Sequence, residues 1–141
     1  MELPQVRQLM PSFCLRSVDG REFCTARFRG RSNLVLIFPG MRESGLIADL
    51  STHKDELDDE NTQVLVIARC DWKQMKAETA FPVLLDEDAE VSSRFGADTS
   101  AALYITDQYG EIYSAHRSEA DLPDAKEILA SLRHINAACP E

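Results

Sequence analysis

The stretch NLVLIFPGMRESGLIADLSTHKDELDDENTQVLVIA, residues 33–68, decides the fold. It opens and closes on continuous apolar runs, NLVLIF (33–38) and QVLVIA (63–68), of the kind that form central strands covered on both faces. Between them Leu46, Leu50, His53 and Leu57 recur at helical spacing, so the segment predicts a crossover helix joining two parallel strands. The unit is therefore strand, helix, strand. Ligands of such sheets bind beyond the carboxyl ends of the strands, which here are the turn at Pro39-Gly40 and the stretch IARCDW (67–72).

Reading outward, FCLRS and EFCTA flank Asp19-Gly20 and predict an N-terminal β-hairpin. A three-residue loop, Val18-Asp19-Gly20, puts Gly20 in the left-handed region and pairs Leu15 with Phe23 on one face and Cys14 with Cys24 on the other. Counted from Ser17 and Arg21 as the closing bonded pair, the two cysteines occupy a close, non-hydrogen-bonded position. The expectation is adjacent, reduced thiols. After residue 68, FPVLLDEDAEVSSRFG gives a short extended piece and a short helix ending at Gly96. ALYITD and EIYSAH form a second hairpin. DLPDAKEILASLRHI closes the chain as a helix with Ala125, Ile128, Leu129, Leu132 and Ile135 inward, Asp121 as its cap and Pro123 in its first turn. The whole predicts an α/β domain spanning 1–141, with a mixed central sheet between helical layers.

Composition excludes several functions. Apolar residues at 44% and charged residues at 28% suit a soluble chain, and no apolar run is long enough to span a membrane. The opening MELPQVRQLMP has no apolar core of a secretory signal, so cytoplasm is the expected compartment. At a net charge of −9, with basic residues scattered among acids, there is no footprint for nucleic acid. KDELDDE (54–60) lacks the ligand spacing of a calcium loop, and Cys14, Cys24, Cys70 and Cys139 show neither zinc nor CxxC spacing. No metal or cofactor is expected. Like charge opposes self-contact over most of the surface, so any self-association is expected through the sheet edge or the helix ends near the cleft.

The order of elements and several phrases resemble the peroxiredoxin version of the thioredoxin fold, the alkyl hydroperoxide reductase and thiol-specific antioxidant family. The phrases are PSFCLRSVDGREFCTARFRGRSNLVLIFPG, FPVLLDEDAEVSSRFG and ALYITDQYGEI, which together cover most of the chain. The resemblance implies a thioredoxin-like three-layer sandwich, thiol peroxidase chemistry and a weak or modest homodimer. In that family a threonine stands four residues after the strand-ending proline and a peroxidatic cysteine seven after, where the amide dipoles of a helix N-terminus lower the thiol pKa. Counted from Pro39 those positions are Glu43 and Leu46, and a one-residue shift gives Ser44 and Ile47. The family's arginine and cis-proline are also missing from DTSAALY, where Ser100, Ala101 and Ala102 stand. Thiolate attack is the covalent step itself, so neither a carboxylate nor Ser44, which has no evident base, substitutes for it.

Two classes of function stay open. One is a non-catalytic protein that binds a partner or small ligand at the vestigial cleft around Pro39, Arg42, Glu43, Leu46 and Cys70. The other is a thiol oxidoreductase using Cys70 with Cys139, or Cys14 with Cys24. Cys70 is the best-placed thiol at the strand edge, with a plain packing residue as its bland reading. His53 reads as a satisfied core histidine without an Asp or Cys partner in helical register, and Trp72 as packing.

Overall fold

The computed structural model describes residues 3–39, 44–69, 79–97, 100–118 and 121–138. Its elements in order are β1 (Cys14–Arg16), β2 (Glu22–Cys24), a 3-10 turn (Thr25–Phe28), β3 (Asn33–Phe38), α1 (Ser44–Thr52), α2 (Lys54–Asp59), β4 (Thr62–Ala68), β5 (Val83–Leu85), α3 (Glu90–Arg94), β6 (Ala102–Thr106), β7 (Ile112–His116) and α4 (Ala125–Ala138).

Beside the β1–β2 hairpin lies a five-stranded sheet in the order β5-β4-β3-β6-β7. β3 runs parallel to β4 and antiparallel to β6, so the sheet is mixed. The apolar runs that carry no alternation fill its centre, and every residue of β3 and β6 is buried. Period two then sorts their side chains into two layers. Val35, Ile37, Val64, Val66, Leu103 and Ile105 face α1, α2 and α4. Leu34, Leu36, Phe38, Leu65, Ile67 and Tyr104 face the other way, onto Phe13, Val91 and Phe95 beneath the hairpin and α3. These layers make the thioredoxin-like sandwich that the resemblance implies.

The first hairpin has the predicted register, with Cys14 opposite Cys24, Leu15 opposite Phe23 and Arg16 opposite Glu22. Ser17 N–H donates to the Arg21 carbonyl at 2.8 Å, and Gly20 sits at φ 88°. The predicted inner face of α4 is buried as well.

Two expectations need correction, and the structure adds one element. The crossover helix is broken at His53 into α1 and α2. There the hydroxyls of Ser51 and Thr52 donate to the carbonyls of Ile47 and Asp49, competing with the helical ladder at its weakest turn. The cap of α4 is Asp124, whose carboxylate accepts the Glu127 N–H at 2.8 Å. Asp121 lies before Pro123 and turns instead toward His116. Finally, the N-terminal segment extends the sheet beyond β7: Arg7 N–H donates to the Ile112 carbonyl at 2.8 Å and Met10 N–H to that of Gly110 at 2.9 Å. Among the described residues no helix is long and apolar enough to cross a membrane.

Candidate functional site

The carboxyl ends of β3 and β4 arrive side by side, and Pro39 and Arg69 leave them there. Arg42, Glu43, Cys70, Trp72 and Cys139 lie outside the described residues. The first turn of α1 is described from Ser44 onward. Leu46, its third residue, is half-buried against the core, and Ile47 is fully buried. Both registers for the family's thiol therefore end on hydrocarbon packed into the sheet. On the neighbouring strand, Phe38 pairs with Ala102, and Ala101 and Ala102 are fully buried. Methyl groups occupy the place where an arginine would have to reach the edge.

An arginine does approach this edge from β7, and sequence reasoning missed it. Arg117 Nε donates to the Tyr104 hydroxyl at 2.8 Å, the guanidinium lies 5.4 Å from the Tyr104 ring centre, and its Nη2 donates to the Pro4 carbonyl. The Tyr104 hydroxyl donates in turn to the Phe95 carbonyl at 2.5 Å. Burial pushes the Tyr104 phenol above its ordinary pKa, against the lowering influence of Arg117. Arg117 is thus committed to a structural network.

Tyr104→Phe should cost about 1–3 kcal/mol, because it leaves the Phe95 carbonyl and an arginine N–H without this partner. The sign of the pH effect follows from the raised pKa. The unfolded phenol ionises first, so Tyr104 subtracts stability as pH rises above its ordinary value of about 10, and none is lost below it. Urea melts at pH 7 and pH 10.5 should show a smaller alkaline loss in the variant than in wild type; equal losses would refute the assignment.

His116 stands beside Arg117, on the face of the sheet that carries α1 and α4. Its Nδ1 lies 3.5 Å from Asp121 Oδ2. The signal in the sequence was a histidine ending a strand at the functional edge, in EIYSAH. His53 differs from its sequence reading. It is satisfied, but by acids: Nδ1 lies 2.7 Å from Glu56 Oε1 and Nε2 lies 4.0 Å from Asp49. The hydrogen bond with His53, then the charges of His53 and Arg133, outweigh partial desolvation and hold the Glu56 carboxyl below its usual range. Among the described residues no cluster of three or more metal-type ligands forms.

Among the described residues the cysteines lie on the first hairpin. Cys14 and Cys24 are joined by a disulfide, with their Cα atoms 4.1 Å apart. The expectation of free thiols is corrected here; the reason is the register, since the non-hydrogen-bonded pair brings the two Cβ atoms closest. Thr25 N–H donates to the Phe13 carbonyl at 3.0 Å, the next bonded pair of that ladder. Leu15 and Phe23 anchor the hairpin on the core, which turns the disulfide outward: Cys14 is exposed and Cys24 half-buried.

Comparison with known proteins agrees with this architecture. No family model matches the chain. Two Mycobacterium tuberculosis proteins, from strains CDC 1551 and H37Rv and assigned by name to the peroxiredoxins, are 29% identical over 119 residues, covering 79% of this chain and 76% of theirs. The mitochondrial 2-Cys peroxiredoxin of Plasmodium falciparum superposes with a TM-score of 0.79 at 17% identity, over 97% of this chain and 98% of its own. A secreted Mycobacterium tuberculosis disulfide oxidoreductase superposes with a TM-score of 0.72 at 18% identity, over 86% of this chain and 95% of its own. The chain is thus similar in sequence to proteins assigned by name to the peroxiredoxins, and it has the thioredoxin-like fold of the peroxiredoxin structures it superposes on.

Proposed function

We propose that the chain is a thiol–disulfide redox protein on a peroxiredoxin-like scaffold, with Cys14 and Cys24 as its working pair and no peroxide chemistry in the helix after Pro39. The observation that carries the reading is the solvent-facing Cys14–Cys24 disulfide on an otherwise well-anchored hairpin. Exposed disulfides exchange with external thiols, whereas a thiolate at position 46 is ruled out by Leu46 itself. In the oxidised form a partner's thiolate attacks one sulfur, giving a mixed disulfide and releasing the other cysteine as thiolate. The partner's second thiol then closes its own disulfide, so two electrons and two protons pass to Cys14 and Cys24. The reverse sequence reduces a partner's disulfide and re-forms the Cys14–Cys24 bond.

The test is a redox titration in glutathione or dithiothreitol buffers, with alkylation and mass analysis at each step. The reading expects Cys14 and Cys24 to gain alkyl groups together, in a single two-electron transition, and Cys14→Ser to abolish it. A non-catalytic module that binds a partner around Pro39 predicts the opposite, two thiols that stay alkylatable across the whole range of buffers. That outcome would overturn the redox reading.

A further inference from the structure

We propose that the cavity between the N-terminal segment, β7 and the end of α4, remote in the fold from the disulfide, binds a planar aromatic carboxylate. Its volume is about 370 Å³, room for a ring system with a short acidic substituent. The inner wall is apolar, with Ile112 and Ile135 buried and Val6 half-exposed at the rim. Tyr113 and His134 also line it, their rings 6.0 Å apart and inclined at 56°, too far apart and too oblique to stack on each other. Such a pair offers an edge and a face to a flat guest.

The charge comes from Arg7, which lines the same cavity. Its backbone is held at φ 75°, a conformation that non-glycine residues seldom adopt, and its N–H is pinned to the Ile112 carbonyl at 2.8 Å. Strain of that kind persists where surrounding structure enforces it, often at ligand sites. Arg7 is exposed, and among the described residues its permanently charged guanidinium has no hydrogen-bond or ion-pair partner, which leaves its donors to water or to a ligand at the rim. Two acids border the cavity. Asp107 is occupied, its Oδ1 accepting the N–H groups of Tyr109 at 2.9 Å and Glu111 at 3.1 Å. Glu111 is exposed, so water screens its opposition to a single negative charge while it still disfavours a dianion. A flat, apolar body suits the inner wall, and a single carboxylate at the rim has Arg7 as its partner.

The probe is 2-naphthoate, followed by amide chemical-shift titration, with neutral 2-naphthamide as control. Saturable shifts at residues 6–7, 111–113 and 134–138 are expected. Arg7→Gly suits the positive φ and so preserves the fold; it should weaken naphthoate binding about tenfold or more, the loss of one charge-assisted hydrogen bond. Naphthamide should bind wild type about as weakly as naphthoate binds the variant, and Arg7→Lys should retain part of the affinity. Equal affinity for naphthoate and naphthamide, an unchanged constant in Arg7→Gly, or no saturation at millimolar probe would overturn the proposal. So would sedimentation showing a dimer that Val6→Glu dissociates, because a second copy would then occupy the cavity.

Discussion

Replacing Phe95 with alanine is expected to remove about 3–5 kcal/mol of folding stability, the range for truncating a fully buried aromatic side chain. The residue has no solvent exposure. Its ring lies on that of Phe38 at 5.2 Å and meets Phe13 and Tyr104 edge-on at 5.7 and 5.1 Å, so truncation opens a void among three other rings. Those rings cannot collapse together, because Phe38 and Tyr104 are fixed in adjacent strands of the sheet. Denaturant melts should show the loss, with Phe95→Leu falling well short of it. A loss below about 1.5 kcal/mol for alanine would mean that the aromatic cluster is not a rigid part of the core.

Reducing Cys14–Cys24 is expected to lower stability by up to about 3 kcal/mol. The bond closes a loop with a sequence separation of 10, and the chain entropy withheld from the unfolded state by so short a loop comes to roughly 2.5–3 kcal/mol. The register of β1 and β2 does not depend on the bond, since the Ser17–Arg21 and Phe13–Thr25 pairs bracket it and Leu15 and Phe23 remain anchored. Reduction should therefore leave the folded circular dichroism spectrum unchanged while shifting the urea midpoint. By linkage, 3 kcal/mol corresponds to about 60 mV on the two-electron couple, lowering the potential relative to an unfolded chain. Identical midpoints with and without reductant would show that the hairpin is already closed in the unfolded state or that the bond is absent.

The central strands and the inner face of α4 were legible because burial on both faces and period 3.6 leave direct marks on residue order. The hairpin register was legible too, since only a three-residue loop puts Leu15 and Phe23 together on the core. What the pattern does not encode is the competition between nearly equal local choices. Asp121 and Asp124 are both good caps, and the second wins because it sits three residues before Glu127, past the restriction that Pro123 imposes. The break at His53 arises from Ser51 and Thr52 hydroxyls within a stripe whose apolar spacing runs on unbroken. The Tyr104–Arg117–Phe95 network and the docking of residues 7–10 along β7 depend on partners far apart in the chain, and no local signal announces them. At the site, absence was easier to read than presence. Leu46 and Ala101 declared the missing thiol and arginine, whereas the bonding of Cys14 to Cys24 required the Cα separation as well as the register.

Peroxide consumption with excess dithiothreitol tests the central claim most directly, comparing wild type with Cys14→Ser, Cys70→Ser and a variant with all four cysteines changed to serine. With hydrocarbon at positions 46 and 47, no thiol can take the family's place at the helix terminus. The helix terminus is what would activate a thiol in that family, and no cysteine of this chain stands at those positions. Consumption in all four proteins is therefore expected at the reductant background, while thiol–disulfide exchange persists in wild type and Cys70→Ser and is lost in Cys14→Ser. Peroxide turnover well above background that disappears in Cys70→Ser would place a working peroxidatic thiol at the strand edge and contradict the account.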